Sequence, residues 1–363
     1  MAKTKVVVGM SGGVDSSVAA HILQEQGYEV IGITMQIWGK DAPDDDSGGC
    51  CGLSAVDDAR RVCQKLGIPH YVINFRDDFE KHVISYFLQE YQQGRTPNPC
   101  IACNRYVKWE SMLQKALQLG ADYIATGHYA RVSCNEETGR YALSQSATLA
   151  KDQTYALYNL TQYQLKHTIM PLGDYTKDQI RDIAHQINLA VATKPDSQEI
   201  CFVPDDDYAK YITENTSIKS EEGDFVDLEG NILGKHKGII HYTIGQRKGL
   251  GVQAAKPLYV IEINPETNQV IVGDDKDVFK TEVYANQLNF MPFETPSVGS
   301  EMTLTGKIRY SQKAAPCTIK MTGPDTLTCT FNEPQRAITP GQALVLYDGD
   351  TVVGGGTILR DLK

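Results

Sequence analysis

Four short apolar runs mark the first part of the chain: "KVVVGM", "EVIGITM", "PHYVINF" and "ADYIATG". Short runs rich in β-branched residues and bounded by polar turns suit the buried strands of a parallel sheet. Between them, hydrophobic residues recur at helical spacing over residues 14–26, 54–66, 78–92 and 104–119, with Ser54 placed to cap the second helix. Two further helical patterns, 161–169 and 176–187, extend the unit. Strand and helix in alternation predict an α/β fold with an open, doubly wound, mostly parallel sheet.

The rhythm changes after about Pro204. "GDFVDLEGNILG" and "LYVIEINPETNQVIVG" read as hairpins turned by Gly, Asn and Pro. From about Thr281 the strands are short and turn-punctuated, as in "TGKIRYSQ", "TLTCTF" and "QALVLYDGDTVVGGGTILR", which predicts a small β-barrel. The expected organisation is three units: 1–204 α/β, 205–278 a small, mainly β central domain, and 279–363 a C-terminal β-barrel. A length of 363 residues is consistent with two or three domains. Residues 41–49, "DAPDDDSGG", read as a mobile acidic loop.

Composition adds constraints. The N-terminal "MAKTKVVVGM" lacks the apolar core and cleavage site of a secretory signal, and no apolar run reaches membrane-spanning length. The expectation is a cytoplasmic protein without a membrane partner. Nine cysteines in a reducing compartment argue against a disulfide framework and favour metal, cluster or catalytic use of any close pair. A formal charge of −10 argues against an overall basic coat for nucleic acid. Three segments are nevertheless basic: 231–256 (Lys235, Lys237, Arg247, Lys248, Lys256), 302–323 (Lys307, Arg309, Lys313, Lys320) and 91–115 (Arg95, Arg105, Lys108, Lys115 against Glu110). Each alone reads as a solvated face; together they read as a local footprint for a polyanion.

Two motifs carry chemistry. "VVVGMSGGVDSS" places Gly9, Met10, Ser11, Gly12, Gly13, Val14, Asp15 and Ser16 between the first strand and the first helix, where backbone N–H groups, hydroxyls and a helix N-terminus can close on an oxyanion. It is neither G-x-x-x-x-G-K-[ST] nor G-x-G-x-x-G. Asp15 is a candidate Mg²⁺ ligand or a solvated first-turn acid. Met35 and Gly127, at the ends of the second and fourth strands, are placed to line an adenine crevice, or are a core residue and a turn. The second motif is "PNPCIACN", with Cys100 and Cys103 ahead of a helix expected near Asn104. A disulfide, a zinc site, a reactive thiol and an iron–sulfur ligand set all begin this way. No second C-x-x-C completes a zinc site, and a helix N-terminus favours thiolate. Cys201 follows Asp196, Gln198 and Glu199 in "PDSQEICFV". Cys50 and Cys51 read as exposed bystanders or as spare sulfur handlers.

"SGGVDS" resembles the pyrophosphate loop of the ATP pyrophosphatase (PP-loop) superfamily, whose members adenylate a substrate with ATP. "GRTPNPCIACN", "ATGHYARV", "KDQTYALY", "DSQEICFV", "HYTIGQRKGLG" and "RYSQ", in order along nearly the whole chain, closely resemble the tRNA-specific 2-thiouridylase family. The resemblance implies ATP-dependent adenylation of the C2 oxygen of a wobble uridine, then sulfur transfer through a cysteine persulfide. It implies Cys103 as nucleophile and Cys201 as persulfide carrier, with Gly9 to Ser16, Met35 and Gly127 at ATP. It further implies Pro97, Asn98, Pro99, Cys100, His128, Lys151, Asp152, Gln153, Arg309, Tyr310 and Gln342 at tRNA. The implied partners are ATP, Mg²⁺, tRNA and a sulfur donor such as a cysteine desulfurase or a sulfur-relay protein.

Many members have aspartate where this chain has Cys100. The departure creates a three-thiol set, Cys100, Cys103 and Cys201, suited to a [4Fe–4S] cluster, and that expectation stands beside a persulfide relay without one. Two other readings stay open: an adenylating synthetase that uses ammonia, and an RNA-binding protein without activity.

Overall fold

The computed structural model describes residues 3–37, 53–195, 200–203, 207–216 and 220–360. The expected acidic loop at 41–49, Cys50, Cys51, Asp196, Gln198 and Glu199 lie outside the described residues.

The first strand, Lys5–Gly9, carries Val6, Val7 and Val8 fully buried. Successive side chains of a strand point to opposite faces. Val7 accordingly joins a core cluster with Trp109, Phe87 and Phe202, while Val6 and Val8 join another with Val18, Leu23 and Ile180. Burial on both faces is what a doubly wound parallel sheet requires. Among the described residues the sheet order is His70–Asn74, Glu29–Gln36, Lys5–Gly9, Tyr123–Ala125, Thr168–Ile169, all parallel. The order reverses between Lys5–Gly9 and Tyr123–Ala125, so their C-terminal ends flank the switch point where such sheets take ligands.

All four sequence-predicted strands are present. The fifth, Thr168–Ile169, corrects the helical reading of 161–169. The helix there is Gln162–Lys166, capped by Thr161, and it ends so that the Thr168 hydroxyl can accept from Trp109 Nε1 at 2.7 Å. The helix expected from Asn104 starts five residues earlier. Asn98 accepts from Cys100 N and Ile101 N, and Pro99 occupies the first turn, a start signal that the apolar periodicity did not carry. Residues 99–118 are then continuously helical through Pro99–Ala102, Cys103–Met112 and Leu113–Gln118, the middle piece wound in wide π turns. Leu53–Leu66 begins before Ser54, so Ser54 lies inside the helix.

The expected hairpins, Gly223–Val226 with Ile232–His236 and Tyr259–Asn264 with Gln269–Gly273, join into one four-stranded sheet. The C-terminal strands close through pairing of Phe279–Phe290 with Thr351–Ile358, so this barrel has no open seam there. A hairpin from the α/β unit, Ala130–Cys134 and Tyr141–Gln145, adds to the barrel sheet through Thr351↔Ser144 and Val352↔Leu143. Tyr155, Ala343, Val345 and Tyr347 belong to the same cluster as Val7 and Trp109, so the α/β unit and the barrel share one core.

His236 lies in the central sheet, 2% exposed, with its ring against Phe225 and Tyr242. Nδ1 accepts from Gly238 N–H and Nε2 donates to Asn268 O, which fixes a neutral tautomer. Burial lowers its pKa from 6.5, against smaller opposing effects of Asn268 O and Asp224. Below that ordinary value the unfolded chain binds a proton that the folded chain does not, so stability present at neutral pH is lost as pH falls. Thermal melts are expected to show a falling Tm from about pH 7.5 to about pH 5.5, with a smaller drop in His236→Gln.

Candidate nucleotide and sulfur-transfer site

The glycine-rich turn is held in shape by its own hydroxyls. Ser16 Oγ accepts from Ser11 N at 3.1 Å and contacts Ser11 Oγ at 3.1 Å, and Ser17 Oγ donates to Gly13 O at 2.8 Å. Gly12 has φ +70°, and a Cβ there would lie 2.3 Å from Ala55 O, so the helix Leu53–Leu66 packs directly on the turn. Gly13 is the N-cap of Val14–Glu25 and offers no side chain, leaving the helix N-terminus open for an anion. Met10 is buried, and its carbonyl accepts from Thr34 Oγ1 at 2.9 Å. Gly127 meets the turn from the neighbouring strand: a Cβ there would lie 2.7 Å from Ser16 N and 2.9 Å from Asp15 Cβ. Met35 is half-buried against the core on the other side of the first strand.

Two lysines that the sequence reading did not single out pin this turn. Lys177 is buried and donates to Asp15 Oδ1 at 2.7 Å and Oδ2 at 2.9 Å, while Tyr129 OH donates to Oδ1 at 2.8 Å. Lys194 Nζ donates to Asp58 at 2.7 Å and to Gly12 O at 3.3 Å. Lys177 sits just after the Thr176 cap, where local pattern suggests an exposed residue; only the tertiary arrangement buries it.

The sulfur end lies along residues 99–118. Cys100 is exposed on the first turn, and Cys103 is half-buried one turn on. Cys201 is half-buried, next to Phe202, whose ring packs edge-on to Phe79 and Phe87. Cys103 and Cys201 both pack against the core cluster that holds Phe202, Trp109 and Met112. The other end of the Cys103–Met112 segment reaches the nucleotide turn, since Met112 Cε would lie 3.4 Å from a Cβ on Gly9. His128 lies beside this segment. Its ring is 5.4 Å from that of Trp109, and Nδ1 is 2.5 Å from Thr126 Oγ1. Desolvation, with the Lys108 charge adding, holds its pKa well below 6.5, so it is neutral at physiological pH.

The residues expected at tRNA fall into two groups. Asp152 is buried, accepting from Thr154 Oγ1 at 2.6 Å with Lys307 Nζ at 3.9 Å. Gln153 Oε1 accepts from Tyr129 N at 2.9 Å, Asn98 caps the cysteine helix, and Gln342 Nε2 donates to Thr96 O at 2.9 Å and Pro97 O at 3.2 Å. Pro97 and Pro99 are buried. These groups hold the frame together. Lys151, Arg309 and His128 are half-buried, and Tyr310 is 47% exposed. Tyr310 packs edge-on to Tyr155 and its pKa is raised by burial first, then by the charges of Asp152 and Cys100. The basic segments are partly neutralised: Lys235 pairs with Asp224, Lys320 with Glu301, and Arg95 with the buried Glu90. Lys237, Arg247, Lys248 and Lys256 are exposed.

Three family models match the chain. They are described as a tRNA methyl transferase HUP domain over residues 4–205, a tRNA methyl transferase PRC-barrel domain over 211–274, and an aminomethyltransferase beta-barrel domain over 280–358. The tRNA-specific 2-thiouridylase MnmA of Lachnoclostridium phytofermentans is 60% identical over 358 residues, covering 98% of this chain and 99% of that protein. The proteins of the same name from Clostridioides difficile and Acetivibrio thermocellus are 57% and 59% identical, each covering 99% of this chain and 99% and 100% of theirs. The chain belongs to the tRNA-specific 2-thiouridylase family. The domain descriptions name methyl transfer and the full-length relatives name thiolation; identity over nearly the whole length decides for the 2-thiouridylases.

Among the described residues no group of three or more His, Cys, Asp or Glu is arranged to hold a metal ion. The expected Cys100, Cys103 and Cys201 set is therefore not assembled: one thiol faces solvent while the other two lie against the core. Both Asp15 oxygens are already bound by the Lys177 ammonium, so Asp15 does not fit a resident Mg²⁺.

Gly127→Ala forces the nucleotide turn to shift. ATP affinity is expected to fall at least about tenfold, roughly 1.4 kcal/mol, by calorimetry. Lys177→Met leaves Asp15 without its ammonium, and is expected to cost roughly 1–3 kcal/mol of stability, read in urea melts.

Proposed function

We propose that the chain is an ATP-dependent tRNA-uridine 2-sulfurtransferase. One observation supports it most: a single helical segment carries Cys103 at one end and packs on the nucleotide turn at the other, and Cys201 lies against the same core. A uridine carbonyl oxygen is a poor leaving group. Attack of that oxygen on the α-phosphorus of ATP releases pyrophosphate and converts the oxygen into part of AMP. The terminal sulfur of a persulfide on Cys201 then attacks C2, the C2–O bond breaks and AMP leaves. The Cys103 thiolate attacks the Cys201 sulfur, releasing the thiolated base and leaving a Cys103–Cys201 disulfide for a dithiol to reduce.

ATP enters as its Mg²⁺ salt, and the turn, Gly127 and Met35 receive it. Units 1–204, 205–278 and 279–363 are read as catalytic, central and C-terminal, the last two gripping tRNA. Lys151, Arg309, Tyr310 and neutral His128 are the groups read as touching tRNA, a charge-plus-ring set suited to unpaired bases. Turning the base outward costs a few kcal/mol, less in an anticodon loop than in a duplex. A protein carrying a persulfide supplies the sulfur, in the cytoplasm; no helix of the described residues is long and apolar enough to cross a membrane. No step is routed through an iron–sulfur cluster, and Cys100 is read as an exposed thiol one turn ahead of Cys103.

Unmodified tRNA incubated with the protein, ATP, Mg²⁺ and a persulfide donor is expected to yield 2-thiouridine by nucleoside mass spectrometry. Cys103→Ser and Cys201→Ser each lower that yield at least about a hundredfold while pyrophosphate release persists. An ammonia-using synthetase would keep full turnover in Cys103→Ser, and a passive RNA-binding protein would release no pyrophosphate. Cys100→Asp is expected to keep turnover within about fivefold, whereas loss of activity together with loss of bound iron would restore the cluster reading.

A further inference from the structure

Residues 93–97 join the helix Ser85–Gln92 to the Asn98 cap and have no regular structure of their own. Backbone polar groups in such a segment must find partners elsewhere. Here the barrel and the central sheet supply them. Gln93 O accepts from Arg360 Nη2 at 3.1 Å, and Thr96 N donates to Pro340 O at 2.9 Å. Gln342 Nε2 bridges two successive carbonyls, Thr96 O and Pro97 O. Gly341, at φ +89°, lies so close that a Cβ would be 3.1 Å from Thr96 O and 3.2 Å from Glu90 Oε2. From the other side, a Cβ on Gly94 would lie 2.9 Å from Ile263 Cγ2 of the central sheet. All three units therefore meet on five residues that lead directly into the thiol-bearing turn.

We infer that Gln342 is a positioning residue for sulfur transfer. Its amide holds the two carbonyls before Asn98 and thereby sets where the capped helix, and with it Cys103, stands relative to the nucleotide turn. The inference rests on the sulfurtransferase reading and adds to it a role for Gln342 other than contact with tRNA. Both Nε2 hydrogens have backbone acceptors, so this end of the side chain is committed to the protein. Through this clamp the barrel that grips tRNA is rigidly tied to the thiol that acts on it. Misplacement of a reacting group by about 1 Å can cost as much as a hundredfold in rate.

The test compares wild type, Gln342→Ala and Gln342→Glu; the Glu variant keeps the side-chain size and removes the N–H donors, and melts check that each variant is folded. Steady-state thiolation is expected to show kcat reduced at least about tenfold with KM for tRNA within about twofold. The rate at which iodoacetamide alkylates Cys103 without tRNA, read by peptide mass spectrometry, is expected to shift by at least about threefold while ATP affinity holds. A raised KM at unchanged kcat in a folded variant would overturn the inference in favour of direct tRNA contact. Unchanged kcat, KM and alkylation would overturn it outright. Absence of thiolated nucleoside with wild-type protein would instead refute the sulfurtransferase reading.

Discussion

The unbroken helical run over residues 99–118, which joins the thiol-bearing turn to the glycine-rich turn, is the constraint on which the proposed site depends. Adenylation needs the α-phosphate at the base oxygen, and transfer needs a thiol at the adjacent carbon. Two chemistries at one base tolerate little relative motion between their catalytic groups. Asn98 and Pro99 fix where this segment starts, and Met112, packed on Gly9, fixes where it meets the nucleotide turn. Trp109, fully buried and bonded to Thr168, locks its rotation against the sheet. A flexible linker between Cys103 and Gly9 would hold the same residues without holding the reaction.

Charge is handled locally. An acidic chain that takes two polyanions, ATP and tRNA, has to place its cations with care. Lys177 and Lys194 are bound to Asp15 and Asp58 beside the nucleotide turn, which keeps the turn in shape without an exposed positive cluster. In the barrel, Lys307 lies over the Tyr347 ring and near the buried Asp152, supporting the shelf from which Tyr155 meets Tyr310. Part of the basic character seen along the chain goes into ion pairs of Arg95, Lys235, Lys307 and Lys320, while Lys237, Arg247, Lys248 and Lys256 of the central unit stay exposed.

The sequence was most legible where physics is local. Runs such as Val6–Val7–Val8 can only be satisfied by burial on both faces, and the strands followed from them. The glycine turn was legible because positive φ at Gly12 and the approach of Gly127 leave no room for a side chain. The helix start at Pro99 was missed because its signal is a capping side chain and a proline rather than periodicity. Lys177, Lys194 and the hairpin that extends the barrel sheet were missed because partners 162, 136 and about 200 residues away in sequence decide their roles. The three-thiol set was read from a departure within the family resemblance, Cys100 where many members have aspartate, and side-chain placement does not assemble it.

The central claim is that Cys103 and Cys201 act on one sulfur atom in succession. Loading the protein with persulfide, adding ATP and unmodified tRNA without reductant, and mapping peptides after alkylation tests it most directly. The account predicts one Cys103–Cys201 disulfide for each thiolated uridine formed. Thiolated uridine accumulating while both cysteines remain open to alkylation would contradict it.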